Sequence, residues 1–106
     1  MGKIVLALYK PFEGKENELL ELIKEHTPLL LKHKLITSRK AIVLKSDNGT
    51  IIEIFEWRSP KAIDDAHTNE QIMNLWNKFG EICSYETLGS LEESKAIFPN
   101  FKVLDF

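Results

Sequence analysis

An α+β fold with four antiparallel strands and helices packed against one side of the sheet is what the sequence predicts. Three observations carry it. The run Thr50 to Trp57 is the most β-branched and aromatic in the chain, as a strand requires. Asn48-Gly49 sits between two apolar runs, a hairpin signal because both residues tolerate positive φ. Two segments repeat apolar residues at the three-four spacing of an amphipathic helix.

Strand side chains alternate between two faces. In the central run Ile52, Ile54 and Glu56 share one parity, and Ile51, Glu53, Phe55 and Trp57 share the other. A sheet with one wet face would show polar residues on one parity. Both are mainly apolar here, so both faces of this strand are expected to be covered.

Taken in order, Lys3 to Lys10 reads as the first strand, with Ile4, Leu6 and Leu8 on one side and Val5, Ala7 and Tyr9 on the other; Pro11 and Gly14 turn the chain. Glu16 to about Lys34 follows as a helix burying Leu19, Leu22, Ile23, His26 and Leu30. Pro28 is expected to kink or break it, with Thr27 capping a second piece. Ile36 to Lys45 reads as the second strand. A two-residue turn would pair Ala41 with Glu56, whereas a three-residue turn with a bulge would pair Lys40 with Glu56. The second offers a cross-strand charge partner and is preferred.

Ser59-Pro60 has the N-cap and first-turn proline of a helix start, and Lys61 to His67 makes a short helix. Thr68 with Gln71 suggests a capping box for the next helix, which buries Ile72, Leu75, Trp76, Phe79 and Cys83. Gly80 would leave room for a close approach at a cost of ~1 kcal/mol relative to Ala. Ser84 to Leu88 reads as the fourth strand, and Ser90 with Glu93 as the start of a helix over Leu91 to Phe98. The tail with Phe101, Val103, Leu104 and Phe106 is too apolar to hang in water. It divides the chain into residues 1–90 and an extension, 91–106, that packs back on the same domain or on a partner subunit.

This strand-helix-strand-strand-helix-strand order is that of a ferredoxin-like βαββαβ sandwich. Both helices would lie on one face, leaving the other apolar and uncovered. At ~25 cal/mol per Å² such exposure is costly, and pairing two sheets in a homodimer removes it.

Composition excludes several function classes. Charged residues are 28%, hydrophobic residues 43%, and the formal net charge is −2. No basic stripe points to a nucleic acid or an anionic membrane. No run of ~20 apolar residues spans a bilayer. The N-terminal run reads as a strand and not as a signal peptide. With Cys83 the single cysteine, the expected setting is the cytoplasm. Phosphate loops and dinucleotide fingerprints are absent, so no nucleotide cofactor is expected. His26 and His33 stand two helical turns apart, ~10 Å, too far to share a metal.

Ile51-Ile52-Glu53-Ile54-Phe55-Glu56-Trp57, followed by Ser59-Pro60, Ala66-His67 and Leu75-Trp76, resembles the dimeric α+β barrel superfamily. Within it the pattern is similar to the antibiotic-biosynthesis-monooxygenase-like family, over roughly residues 3–90. The resemblance implies two ferredoxin-like protomers packed sheet to sheet, each with a pocket between its sheet and helices. It also implies activities such as cofactor-independent oxygenation of phenols or quinols. Haem breakdown, the activity of another branch, fits poorly, because no histidine follows His67 where an iron ligand would stand.

The resemblance makes His67 a candidate base or hydrogen-bond donor, with Glu53 as its orienter. Tyr9, Trp57, Trp76 and Phe79 would be walls for a small aromatic or otherwise apolar molecule. Blander readings stand beside these. His67 could hydrogen-bond a backbone carbonyl, Glu53 could pair with Arg39 or with a second subunit, and the aromatic residues could be plain core. Glu56 would pair with Lys40. The expected function is a cofactor-independent monooxygenase-like activity. The alternative is a non-catalytic dimeric protein that binds a small ligand or acts as an accessory.

Overall fold

A computed structural model describes residues 2–106. Its sheet is antiparallel, with strands β1 (Lys3–Pro11), β2 (Ile42–Lys45), β3 (Ile51–Trp57), β4 (Cys83–Tyr85) and β5 (Lys102–Val103) in the order β4-β1-β3-β2-β5. The helices are α1 (Glu16–Lys32), α2 (Pro60–Ala66) and α3 (Glu70–Ile82). Five strands stand where four were expected, because Lys102 and Val103 pair with Lys45 and Leu44 and extend the β2 edge.

The β2–β3 hairpin has the three-residue turn. Ile42 pairs with Ile54 and Lys45 with Ile51, and Gly49 supplies the positive φ (92°) that closes the loop. Strand β2 is shorter than the run from Ile36 suggested. Only Ile36 bridges to Trp57, and the chain loops away between them. Lys40 therefore never enters the ladder. Glu56 accepts from Thr37 Oγ1 at 2.8 Å and from Arg39 Nε at 3.0 Å instead.

Helix α1 runs through Pro28 without a break, which corrects the expected division at Thr27. Its buried residues, Leu19, Ile23, His26 and Leu30, form one stripe. Helix α2 starts as expected, with Ser59 Oγ accepting from the Ala62 amide at 3.1 Å. The cap of α3 is Asn69 and not Thr68; its side-chain oxygen accepts from the Ile72 amide. Gly80 approaches nothing, since a Cβ there would meet open space. Cys83 is a residue past α3, opening β4, and is buried.

Residues 91–98 do not form the expected helix. Short 3-10 turns at Leu88–Ser90 and Glu92–Lys95 replace it, and they place Leu91 rather than a helical stripe on the sheet.

Leu19, Ile23, Leu75 and Phe79 pack with Tyr9, Val43 and Ile51 in the main core, between α1, α3 and the sheet. A second cluster joins Leu30, Phe55, Trp57, Ala66 and Ile72. On the opposite face Leu91 packs with Leu8 and Ile52, flanked by Leu44, Ile54 and Phe101. The tail crosses the β2 edge, and Leu104 then joins the main core. Beyond the reach of Leu91 and Phe101 the outer face stays open: Ile4, Leu6 and Ile42 are 53%, 42% and 49% exposed. No helix among the described residues is long and apolar enough to cross a membrane.

Candidate functional site

Strand register sets the site. Glu53 lies opposite Ala7 on one side and Val43 on the other, so its carboxylate rises beneath the helices between two small or modest neighbours. Tyr9, opposite Ile51, is its diagonal neighbour on the same face and close enough to reach it. His26 comes down from the buried stripe of α1, and Trp76 from α3.

These four side chains form one hydrogen-bonded chain. Tyr9 donates its hydroxyl to Glu53 Oε1 at 2.8 Å. His26 Nδ1 lies 2.8 Å from the same oxygen. Trp76 Nε1–H donates to His26 Nε2 at 2.9 Å. An indole nitrogen can only donate, so His26 Nε2 must accept. The imidazole is therefore neutral, with its proton on Nδ1 and donated to Glu53. Glu53 accepts from both sides on Oε1. His26 and Glu53 are 2% and 0% exposed. Burial, and then the Glu53 charge and hydrogen bond, hold the Tyr9 phenol well above its ordinary pKa.

Three members of the chain, Tyr9, His26 and Trp76, bring their polar groups to an otherwise apolar cavity of about 400 Å³, with Glu53 behind them. Tyr9, Trp57, Trp76 and Phe79 all line it, together with His26 and Tyr85. Tyr9 stacks on Phe79 with ring centroids 4.9 Å apart, and the Trp57 and Trp76 rings meet edge to face at 6.5 Å. A flat aromatic molecule suits such walls.

His67 is elsewhere. It is exposed at the end of α2, and Nδ1 donates to the Ile63 carbonyl at 2.7 Å. The expected pairing of His67 with Glu53 does not form: α2 ends on the surface, where the His67 ring rests 5.1 Å from that of Trp76, and Glu53 is held by Tyr9 and His26. Arg39 does not reach Glu53 either, being held on Glu56.

The partner that sequence reasoning missed is His26. Its place on the helical stripe was legible, and the signal was available: a buried imidazole and a buried carboxylate each need a partner, and each answers the other. Among the described residues no three His, Cys, Asp or Glu side chains converge as a metal site would require. Comparison of the chain with protein-family models, curated proteins and solved structures returns no significant match.

Proposed function

We propose that the protein is a cofactor-independent oxygenase of a small phenolic or quinol substrate, with His26 and not His67 as the proton acceptor. The observation that supports this most is the Trp76–His26–Glu53–Tyr9 chain, whose Trp76, His26 and Tyr9 line the apolar cavity. Oxygen chemistry without a cofactor needs a substrate that becomes an electron-rich anion, and the chain offers a means of making one. A substrate hydroxyl that inserts between Trp76 and His26 gives its proton to Nε2. The resulting imidazolium keeps its Nδ1–H on Glu53, whose charge stabilises it. The phenolate oxygen takes over the Trp76 N–H. For an anthrone-like substrate the ring CH₂ and O₂ then become C=O and H₂O, so all the electrons come from the substrate.

The fold side of the proposal is a ferredoxin-like protomer that dimerises sheet to sheet. Its supports are the β4-β1-β3-β2 order, α1 and α3 on one face, and the open apolar patch on the other. Light scattering at micromolar concentration is expected to give twice the protomer mass, and Leu6→Lys to halve it. A monomeric wild type ends this part of the proposal.

Oxygen uptake with a panel of quinols and anthrone-like phenols tests the chemistry. His67→Ala should keep the wild-type rate, while His26→Asn and Trp76→Phe should lose most of it. Absence of uptake with every substrate favours a second reading, a non-catalytic ligand-binding protein. One feature supports that reading: His26 Nε2 already has its donor in Trp76, which closes the chain without a substrate.

A further inference from the structure

Glu53 lies behind the His26 and Tyr9 groups that line the aromatic cavity. Behind it, away from the aromatic walls, lies a second space of about 290 Å³ bounded by α1, residues 40–43 and Phe106. Glu53 forms part of its wall along with Lys24, Thr27, Pro28 and Lys40. This wall is mixed, with Ile23, Ala41, Val43 and Phe106 beside the polar groups, where the first is almost wholly apolar. Pro28 has no N–H, so the Lys24 carbonyl one turn earlier lacks its helical donor. Glu53 Oε2 is buried and has no hydrogen-bond partner among the described residues. An unpaired buried carboxylate oxygen is costly, and a space of this size beside that oxygen has room for a water to satisfy it.

From this geometry we infer that the second cavity is a proton port, the place where Glu53 exchanges protons with solvent, and that Phe106 is its door. Phe106 is 60% exposed and lies beneath Lys24, whose Nζ is 5.4 Å from the ring centroid. Such an exposed cation–π contact opens easily. The charged and titratable groups around Glu53 are Tyr9 from β1, His26 and Lys24 from α1, and Lys40 from the segment before β2. Neither lysine is salt-bridged to Glu53, so no cation stands between its Oε2 and the second cavity.

A relay role for the port rests on the functional reading above. The substrate O–H breaks first, as His26 Nε2–H forms and the imidazolium keeps its Nδ1–H; in a later step that Nδ1–H breaks as a Glu53 O–H forms. Glu53 then releases its proton to water in the second cavity. The proton returns along the same path when product and water form, and no electron moves in the relay.

The port itself is tested without any substrate, on the full ¹⁵N-labelled chain, by following solvent exchange of the His26 Nδ1–H and the Trp76 Nε1–H. Phe106→Ala opens the door and should speed exchange at His26 severalfold. Ala41→Leu fills the cavity and should slow it severalfold. Trp76, which faces the other cavity, should change in neither variant. His26 exchange that ignores both substitutions, or Trp76 exchange that moves in parallel, overturns the port. A responsive His26 in a protein that never consumes oxygen leaves the port standing and removes only the relay.

Discussion

His26 Nδ1 and Glu53 Oε1 meet at 2.8 Å, from a helix and a strand separated by 27 positions in sequence, and neither residue is exposed to solvent. A carboxylate buried this fully is tolerable only where donors converge on it. Tyr9 and His26 are those donors. The proposed chemistry therefore uses groups on which the core already depends.

Removing His26 should show that dependence. His26→Ala leaves Glu53 with one donor and an empty space beside it, and should cost ~3–5 kcal/mol. Tyr9→Phe removes the other donor while keeping the ring against Phe79, and should cost ~1–3 kcal/mol. Urea denaturation followed by Trp fluorescence measures both. Equal, near-zero losses would show that Glu53 is not charged in the folded protein.

Alkaline titration separates the two tyrosines. Burial raises both phenols, and Tyr9 is raised further by the Glu53 charge and hydrogen bond. A group whose folded pKa is raised contributes stability below its unfolded pKa, which is ~10 for tyrosine, and that contribution is lost as pH climbs above it. Tyr85 phenolate absorbance should appear first, in the folded protein. That of Tyr9 should appear only as near-ultraviolet circular dichroism collapses.

Glu56 works in the opposite sense. The Thr37 hydroxyl, then the Arg39 guanidinium, hold its carboxyl below the usual range. A depressed folded pKa contributes stability above the unfolded value, and the contribution disappears as pH falls through the folded one. Thr37→Val should move the Glu56 NMR titration midpoint upward toward an ordinary carboxylate. An unmoved midpoint would leave the nearby positive charges, Arg39 foremost, as the cause.

Two glycines should respond with opposite signs. Gly80 lies within α3 facing open space, so Gly80→Ala should stabilise by up to ~1 kcal/mol. Gly49 closes the β2–β3 turn at φ 92°, a conformation an L side chain resists, so Gly49→Ala should destabilise the hairpin. Thermal melts of the two variants should shift in opposite directions from wild type.

Much of the architecture was legible because local periodicity expresses it. The apolar alternation of β1 and β3, the stripe of α1, Ser59-Pro60 at the head of α2, and the Asp47-Asn48-Gly49 turn all follow from neighbours in sequence. Where local signals competed, tertiary packing decided. Pro28 stayed helical because the stripe on either side of it, His26 and Leu30, is buried beneath the same helix. Ser90 and Glu93 capped no helix, because burying Leu91 against Leu8 and Ile52 requires a chain that folds onto the sheet in short turns.

The sequence by itself determined that Glu53 would share a face with Phe55 and Trp57, that His26 would lie on a buried helical stripe, and that Tyr9, Trp57, Trp76 and Phe79 would be large aromatic groups within an α+β core. Only the tertiary structure decided that His26, and not His67 or Arg39, answers Glu53. The reason is physical. Periodicity states which way a side chain faces, whereas the height at which α1 crosses β3 depends on the packing of every residue between them, and a hydrogen bond of 2.8 Å is set by that height.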